Sequence, residues 1–182
     1  GARGVVRGAG SGNGSDVTRF ADDQLPTRAE ARERFGLPAD AQVIGFVGRF
    51  TKDKGIEDLI DVFESGFADR DDLWLLLVGK FEDGDPVDDA THTTIETHPR
   101  IVVVPWLGHP GAAYRAMDVL AFPSYREGLP NVPLEAQVCG VPVVGYAATG
   151  TVDAVADGES GLLVPVGDRI GLRVSIERVL VD

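Results

Sequence analysis

The sequence predicts an α/β fold, a doubly wound parallel sheet of about six strands with helices on both faces. Two observations lead to this prediction. Short apolar runs without polar alternation recur along the chain, as expected for strands that are covered on both faces. Segments with apolar residues at helical spacing separate these runs, so that a strand–helix unit repeats about six times. The 182 residues suffice for one domain with a well-buried core.

The first predicted helix covers residues 27–35. Thr27 and Glu30 have the spacing of a capping box, and Gly36 suits the helix end. An apolar strand over residues 43–48 follows, then a short basic loop. The next helix has a buried stripe of four apolar residues, namely Ile56, Leu59, Ile60 and Phe63.

The second half of the predicted sheet begins with a strand over residues 73–79. Residues 80–89 are acidic but lack the residue order of a calcium loop, so we expect a solvated loop there. A helix over 88–98 and a strand over Ile101–Val104 follow. His92 and His98 are six residues apart, which is not the spacing of two metal ligands on a helix.

The remaining elements repeat the same pattern. We expect a helix over residues 112–117, a strand over Val119–Phe122, and a helix with Pro133 in its first turn and Leu134, Val138 and Val141 on its buried face. Cys139 is predicted to pack in the core. The later elements are a strand over 141–145, a short helix from residue 149, a strand over 162–164 and a helix over 168–180.

Composition excludes several classes of function. The net charge of −12 argues against broad, sequence-independent binding to nucleic acid. It would also repel an anionic ligand, so such a site must carry its own cations. No apolar run approaches the roughly 18 residues of a membrane span. The single cysteine is typical of a reducing compartment, and we expect a cytoplasmic protein.

Two glutamates mark the first candidate site. Glu127 and Glu135 follow the strand Val119–Phe122, and Gly128 and Pro130 prevent a continuous helix between them. Glu127 is therefore placed in a loop and Glu135 about two turns into a helix. The amides of Gly128 and Leu129, with those at the start of the helix, would face a phosphate. Carboxylates on either side would accept hydrogen bonds from sugar hydroxyls, a layout that suits a nucleotide sugar. The alternative is two solvated surface carboxylates.

A basic turn marks the second candidate site. Arg49 and Lys54 lie five residues apart between a predicted strand and a helix, the kind of turn where doubly wound sheets bind ligands. Both side chains could enter one crevice, although two ordinary surface cations would give the same sequence. Farther along, Trp106 follows a strand and could stack on a nucleotide base or fill the core.

These motifs together resemble one enzyme family. The segment E-G-L-P-N-V-P-L-E of residues 127–135 resembles the E-x7-E signature of retaining GT-B glycosyltransferases, in particular glycosyltransferase family 4. G-R-F-x-x-x-K-G at 48–55 resembles that family's G-R-L-x-x-x-K-G. Residues 149–168 also resemble the matching family segment, although Asp153 stands where Glu is frequent. The S-G-N-G-S-D segment at 11–16 is similar to the family's G-N-G-V-D, with Ser15 in place of valine.

The resemblance implies a role for each matching residue. Arg49 and Lys54 would hold the donor diphosphate, Glu127 the transferred sugar and Glu135 the ribose. The implied donor-binding residues also include Asn13, Gly14, Trp106, Gly128, Leu129, Pro130 and Asn131. With no His cluster near the site, and with the acidic residues 80–89 assigned to a solvated loop, we expect neither a metal nor another cofactor, and the nucleotide sugar is the donor substrate.

The resemblance also implies a domain organisation. We expect a glycine-rich N-terminal segment over residues 1–26 and a Rossmann-like nucleotide-sugar donor-binding domain over 27–182, one half of a GT-B fold. The acceptor-binding N-terminal domain would be a further partner, and any peripheral membrane association would run through it. The expected function is a bacterial hexosyltransferase of polysaccharide biosynthesis that uses a nucleotide diphosphate sugar, with UDP favoured, and a glycan or lipid acceptor. This half alone would be inactive.

Two alternatives remain open at this point. A GT-B epimerase or phosphorylase would use the same fold. A non-catalytic nucleotide-sugar binding module would keep the site without the reaction.

Overall fold

The computed structural model describes Phe20 and residues 25–181. The strands are β1 (Gln42–Phe50), β2 (Leu73–Phe81), β3 (Ile101–Val104), β4 (Val119–Phe122), β5 (Val143–Tyr146) and β6 (Gly161–Val164). The α-helices are α1 (Arg28–Arg34), α2 (Ile56–Gly66), α3 (Asp89–Thr97), α4 (Gly111–Ala116), α5 (Asn131–Val138), α6 (Thr151–Ala154) and α7 (Arg169–Val181). A 3-10 turn over Lys52–Lys54 precedes α2.

The six strands form one parallel sheet in the order β3-β2-β1-β4-β5-β6. Helices cover both faces of the sheet, because both faces of its strands are apolar, as β1 illustrates. Ile44 and Phe46 belong to the hydrophobic cluster that contains the buried residues of α2 and α7. Val43 and Val47, on the opposite face, belong to the cluster of α1, α4 and α5. The prediction of a doubly wound parallel sheet of about six strands is confirmed.

The first two strands are longer than predicted. Parallel pairing continues past Gly48 and Gly79 to the pairs Arg49–Lys80 and Phe50–Phe81. Phe50 is fully buried, and its ring meets Phe81 edge-on at 5.2 Å between centroids. This contact extends the ladder, so Arg49 lies in β1 and not in the loop after it.

The sequence-based prediction for the buried face of α5 is wrong for Leu134 and Val138, whereas Val141, beyond the helix end, is buried as predicted. Pro133 and Ala136 of the helix and the following residue Cys139 are buried, while Leu134 is half-buried and Val138 is 42% exposed. An eight-residue helix with proline at its third position contains too few apolar residues for their spacing to fix the helix rotation. Contacts of the small buried residues with the sheet set it instead. The helix also starts at Asn131, which places Glu135 only at its fifth residue.

The strand order reverses at β1. Because β1 pairs with β2 on one side and β4 on the other, the chain runs in opposite directions across the sheet from this point. A crevice opens outside the carboxyl ends of strands at such a switch point, and ligands of open α/β sheets bind there. A ligand site is therefore expected at the carboxyl ends of β1 and β4.

Candidate functional site

A cavity of about 470 Å³ lies at the carboxyl ends of β1 and β4, within the size range of small-molecule sites. Six of the residues predicted from the sequence line it. They are Arg49, Lys54, Trp106, Glu127, Pro130 and Asn131. A second cavity, of about 360 Å³, lies between Leu25 and His109, and none of the predicted site residues that the structure describes lines it.

Lys54 and Glu127 are direct partners in this cavity. The Lys54 Nζ donates to Glu127 Oε1 at 2.7 Å, and the Ser124 hydroxyl donates to the same oxygen at 2.7 Å. Both charged side chains are largely buried, with 19% and 14% of their surface exposed. Glu127 is thus held in one orientation by a cation and a hydroxyl that are 73 and three residues away in sequence.

The backbone at Gly55 brings these two loops together. Gly55 ends the 3-10 turn with φ of 68°, a left-handed conformation that favours glycine. A Cβ at this position would overlap the carbonyl oxygen of Pro123. The close approach places the end of the Lys54 turn against the end of β4, which is why the lysine reaches Glu127.

Arg49 is also paired with carboxylates. Its Nη1 donates to Glu82 at 3.0 Å and its Nη2 lies 3.4 Å from Asp53 Oδ2. The hydrogen bond to Glu82 raises the pKa of the Arg49 guanidinium, which keeps its charge fixed. The side chain remains 48% exposed at the cavity, so a ligand can still reach it.

Trp106 lies at the rim of the cavity, on the loop after β3. Its side chain is 58% exposed, so the alternative in which it fills the core is wrong. An exposed indole at the rim of the cavity offers a flat apolar surface. Stacking on a nucleotide base stays a prediction.

The loop before α5 supplies backbone groups. No side chain caps the start of α5, and Asn131 and Val132 at this helix start line the cavity. Uncapped helix amides form a ready site for an anion. Gly128 and Leu129 do not line the cavity, and a Cβ at Gly150 would overlap the Gly128 carbonyl oxygen, which shows how closely residue 150 packs under this loop.

Glu135 lies outside the cavity lining. Its Oε2 accepts a hydrogen bond of 3.0 Å from the hydroxyl of Tyr114, a fully buried residue of α4. Burial, and then the nearby Glu135 carboxylate, raise the pKa of the Tyr114 phenol. The carboxylate therefore satisfies a buried hydroxyl in this structure, which the sequence did not predict. The other two predicted residues, Asn13 and Gly14, lie outside the described residues.

The sequence-based analysis missed three polar residues of the cavity: Lys80, Glu82 and Ser124. Lys80 and Glu82 belong to the stretch that was predicted to be a solvated loop, and that prediction is wrong for part of it. Glu82 binds Arg49, and the Asp85 carboxylate accepts the Asp53 amide at 2.7 Å. The sequence could have indicated Lys80 and Glu82 through their position at the end of β2, the strand that pairs with β1. The carboxyl ends of parallel strands lie at the same edge of a sheet, so residues there can reach a site at the end of β1.

In the part of the chain that the structure describes, no group of three or more His, Cys, Asp or Glu residues could hold a metal ion. His92 stacks on Phe81 at 4.1 Å between ring centroids, and His98 contacts the edge of Phe63. Among the same residues, no helix is long and apolar enough to cross a membrane.

Fold and cavity together define an α/β domain that presents cations and uncapped helix amides at its switch point, the class of domain that binds anionic nucleotides. Comparison with known proteins gives the family. The sequence profile described as "Glycosyl transferases group 1" matches residues 41–182, and the chain belongs to this family. The chain spans less than half the length of curated relatives that it matches.

Three similar proteins illustrate the relationship. The capsular polysaccharide biosynthesis glycosyltransferase CapM of Staphylococcus aureus is 35% identical over 178 residues, 98% of this chain and 46% of that protein. The solved structure of sucrose-phosphate synthase from Thermosynechococcus elongatus is 35% identical with a TM-score of 0.74, covering 93% of this chain and 42% of that one. Anabaena HepE, solved with UDP and glucose, is 25% identical with a TM-score of 0.79, over 93% and 46%. The Rossmann-like fold of GT-B glycosyltransferases is thereby confirmed.

Proposed function

We propose that this chain is the donor-binding domain of a retaining GT-B glycosyltransferase of family 4 that transfers a hexose from a nucleotide diphosphate sugar. The single observation that carries the proposal is the cavity at the switch point, where Arg49 at the end of β1, Lys54 in the 3-10 turn and Glu127 in the loop after β4 converge. Cations and a carboxylate at adjacent positions match a substrate that has a diphosphate joined to a hydroxylated ring.

The charges suit the reaction as well as the ligand. Breaking the bond between sugar and phosphate develops positive charge on the sugar and negative charge on the departing diphosphate. Arg49 and Lys54 stabilise the leaving diphosphate, together with the uncapped amides at the start of α5, where Asn131 and Val132 line the cavity. Glu127 orients the sugar hydroxyls and lies near the developing positive charge.

The donor enters by an exchange of partners. Lys54 is bonded to Glu127, and Arg49 to Glu82, in the structure. When a diphosphate binds, it takes the place of these carboxylates around the cations. Glu127, released from Lys54, is then free to accept the sugar hydroxyls. One event therefore prepares the phosphate and sugar ends of the site together.

Glu135 is proposed to bind the ribose. Its carboxylate lies at the fifth residue of α5, where Oε2 accepts the Tyr114 hydroxyl. The hydrogen bond from Tyr114 fixes the carboxylate, which lowers the ordering cost of ribose binding. Trp106 and Asn131 would then flank the base and the phosphates, with Pro130 at the end of the loop. Asn13 and Gly14 stay predicted donor-binding residues.

UDP is the proposed nucleotide. HepE, which shares this fold at 25% identity, was solved with UDP and with UDP-glucose. The name of CapM supports an acceptor in polysaccharide biosynthesis, and a glycan or lipid acceptor on the cytoplasmic side of a bacterial membrane fits that context. Since the relatives are about twice as long, the acceptor would be held by a separate N-terminal domain, and the present chain alone would bind the donor weakly and transfer little.

Calorimetric titration of the chain with UDP, GDP and ADP tests the proposal. We expect heat of binding for UDP above the other two, and the same affinity in EDTA, since Arg49 and Lys54 would supply the positive charge that neutralises the diphosphate. No heat with any nucleotide would instead support a scaffold function. Binding that EDTA abolishes would show that a metal, not Arg49 and Lys54, neutralises the diphosphate.

Testing two alternative functions, epimerase and phosphorylase, requires a longer protein that also contains the proposed acceptor domain. An epimerase would change the configuration of the nucleotide sugar without any acceptor, and a phosphorylase would require inorganic phosphate. A nuclear magnetic resonance assay of the sugar anomeric signals distinguishes these outcomes from transfer. It also reports whether the anomeric configuration is retained.

A further inference from the structure

A buried carboxylate outside the cavity connects three parts of the chain. Asp58, on the first turn of α2, is 2% exposed. Its Oδ2 accepts hydrogen bonds of 2.6 Å from the hydroxyls of Tyr125 and Tyr146. Its Oδ1 pairs with the Arg169 guanidinium at the start of α7, with the nearer nitrogen at 2.7 Å. Burying a charge is costly unless it is paired and hydrogen-bonded, and here both oxygens are satisfied.

Tyr125 is the member of this cluster that belongs to the site loop. It follows Ser124, whose hydroxyl holds Glu127, and it precedes Glu127 by two residues. The Tyr125 amide also donates to the Asp53 carbonyl at 3.0 Å. Because the Tyr125 side chain is 43% exposed, apolar burial alone fixes it poorly. Its hydroxyl bond to Asp58 and an edge-on contact with Tyr146, at 5.6 Å between centroids, are what hold it.

Lys54 lies close to the N-terminus of α2, the helix that contains Asp58. Lys54 and Gly55 immediately precede α2, and Asp58 is its third residue. The bond from Tyr125 to Asp58 therefore ties the loop that carries Glu127 to the helix whose start carries the diphosphate lysine. The two ends of the proposed donor site then keep a fixed separation.

We infer that Asp58 is a positioning residue, which acts through Tyr125 to set the Glu127 loop at the distance from Lys54 that a nucleotide sugar requires. The inference rests on the proposed function, since it deepens the role of Glu127 in holding the sugar. Asp58 touches neither the cavity nor a substrate. Its effect on the site passes through the loop that carries Tyr125 and Glu127.

The chain offers a matched pair of variants. Tyr125→Phe and Tyr146→Phe each remove one hydroxyl of the same type, bonded at the same distance to the same oxygen of Asp58. Only Tyr125 lies on the site loop, because Tyr146 ends β5. A general loss of stability would affect both variants. Asp58→Ala is less useful, since it leaves Arg169 and both tyrosines unpaired at once and threatens folding.

The first measurement compares UDP-glucose with UDP for each variant. We expect Tyr125→Phe to reduce the extra affinity that glucose contributes by about three- to tenfold, the size of one lost hydrogen bond, and to leave UDP affinity unchanged. Tyr146→Phe should leave both affinities unchanged. An equal loss in the two variants, or an unchanged glucose contribution in Tyr125→Phe, overturns the inference.

The second measurement needs no ligand. Amide hydrogen exchange over residues 124–128 should accelerate in Tyr125→Phe and not in Tyr146→Phe, because the Tyr125 and Glu127 amides bond to Asp53 and Thr149 across the loop. Equal exchange in both variants overturns the inference. If wild-type protein binds UDP-glucose no better than UDP, the role of Glu127 in the proposed function fails, and the exchange result still decides whether Asp58 holds the loop.

Discussion

At the scale of single residues, two cations of the cavity are paired with carboxylates, and the proposed function requires these pairs to be exchanged for a diphosphate. Lys54 holds Glu127, Arg49 holds Glu82, and Lys80 lines the same cavity without an ion-pair partner in the part of the chain that the structure describes. The sequence indicated Arg49, Lys54 and Glu127 because strand ends and turns carry binding residues. It did not indicate their pairing, since Lys54 and Glu127 are 73 residues apart.

Lys54→Ala should weaken UDP binding by about 1.5–3 kcal/mol, the usual contribution of a hydrogen bond to a charged group. Lys52→Ala is the matched control, because Lys52 belongs to the same turn but is 53% exposed and does not line the cavity. Titration calorimetry of both variants measures the difference. Equal effects in the two variants would remove Lys54 from the site.

Glu127→Ala should bind UDP at least as tightly as the wild type, because it releases the Lys54 ammonium for the diphosphate. The added affinity of UDP-glucose over UDP should disappear. A titration of the variant with both ligands measures these effects. If the variant weakens both ligands equally, Glu127 does not hold the sugar.

The three tyrosines give a pH test. The hydrogen bond to Asp58 raises the pKa of Tyr125 to about 12, and burial raises the pKa of Tyr114 and of Tyr146. Because these folded-state values exceed the ordinary pKa of about 10, the stabilisation by the tyrosines is complete below about pH 10 and declines as the pH rises towards 12. An ultraviolet titration should show little tyrosinate at about pH 10. One tyrosine half-ionised there would contradict the described contacts.

At the scale of elements, α5 shows why the spacing of apolar residues did not predict which face of a short helix is buried. Its sequence predicted Leu134 and Val138 on the buried face, but Pro133 and Ala136 are buried. The helix is short, and the loop before it is fixed from outside, by the Glu127 amide bonded to the Thr149 carbonyl. The buried face of the longer helix α2 was predicted correctly, because four apolar residues of this helix lie at the spacing of a single face.

Gly150 and Gly158 test how the α5 loop is supported. Both have positive φ, 82° and 78°, but a Cβ at Gly150 would overlap the Gly128 carbonyl whereas Gly158 has open space. Gly158→Ala should cost about 1–2 kcal/mol for the left-handed backbone alone. Gly150→Ala should cost a further 1–3 kcal/mol or so from overpacking. Urea unfolding of the two variants measures the difference in their free energies of unfolding. Equal midpoints would mean that the close approach of residue 150 to the Gly128 carbonyl does not stabilise the loop.

At the scale of the whole molecule, the sequence predicted the parallel sheet and its helices, and the resemblance predicted the glycosyltransferase family. Strand order and the cavity depend on contacts between distant residues, such as Asp58 with Tyr125, which local pattern cannot reveal. The charge distribution illustrates the same point. A chain with net charge −12 concentrates Arg49, Lys54 and Lys80 around one cavity. Screening over about 8 Å lets these local charges outweigh distant carboxylates.

A crystal structure of the chain grown with UDP-glucose tests the central claim most directly. It should show the diphosphate within hydrogen-bonding distance of Arg49 and Lys54, the glucose against Glu127 and the uracil against Trp106. The bond from Lys54 to Glu127 should be broken. A nucleotide bound elsewhere, for example in the cavity beside His109, or one bound while Lys54 still holds Glu127, would contradict the account.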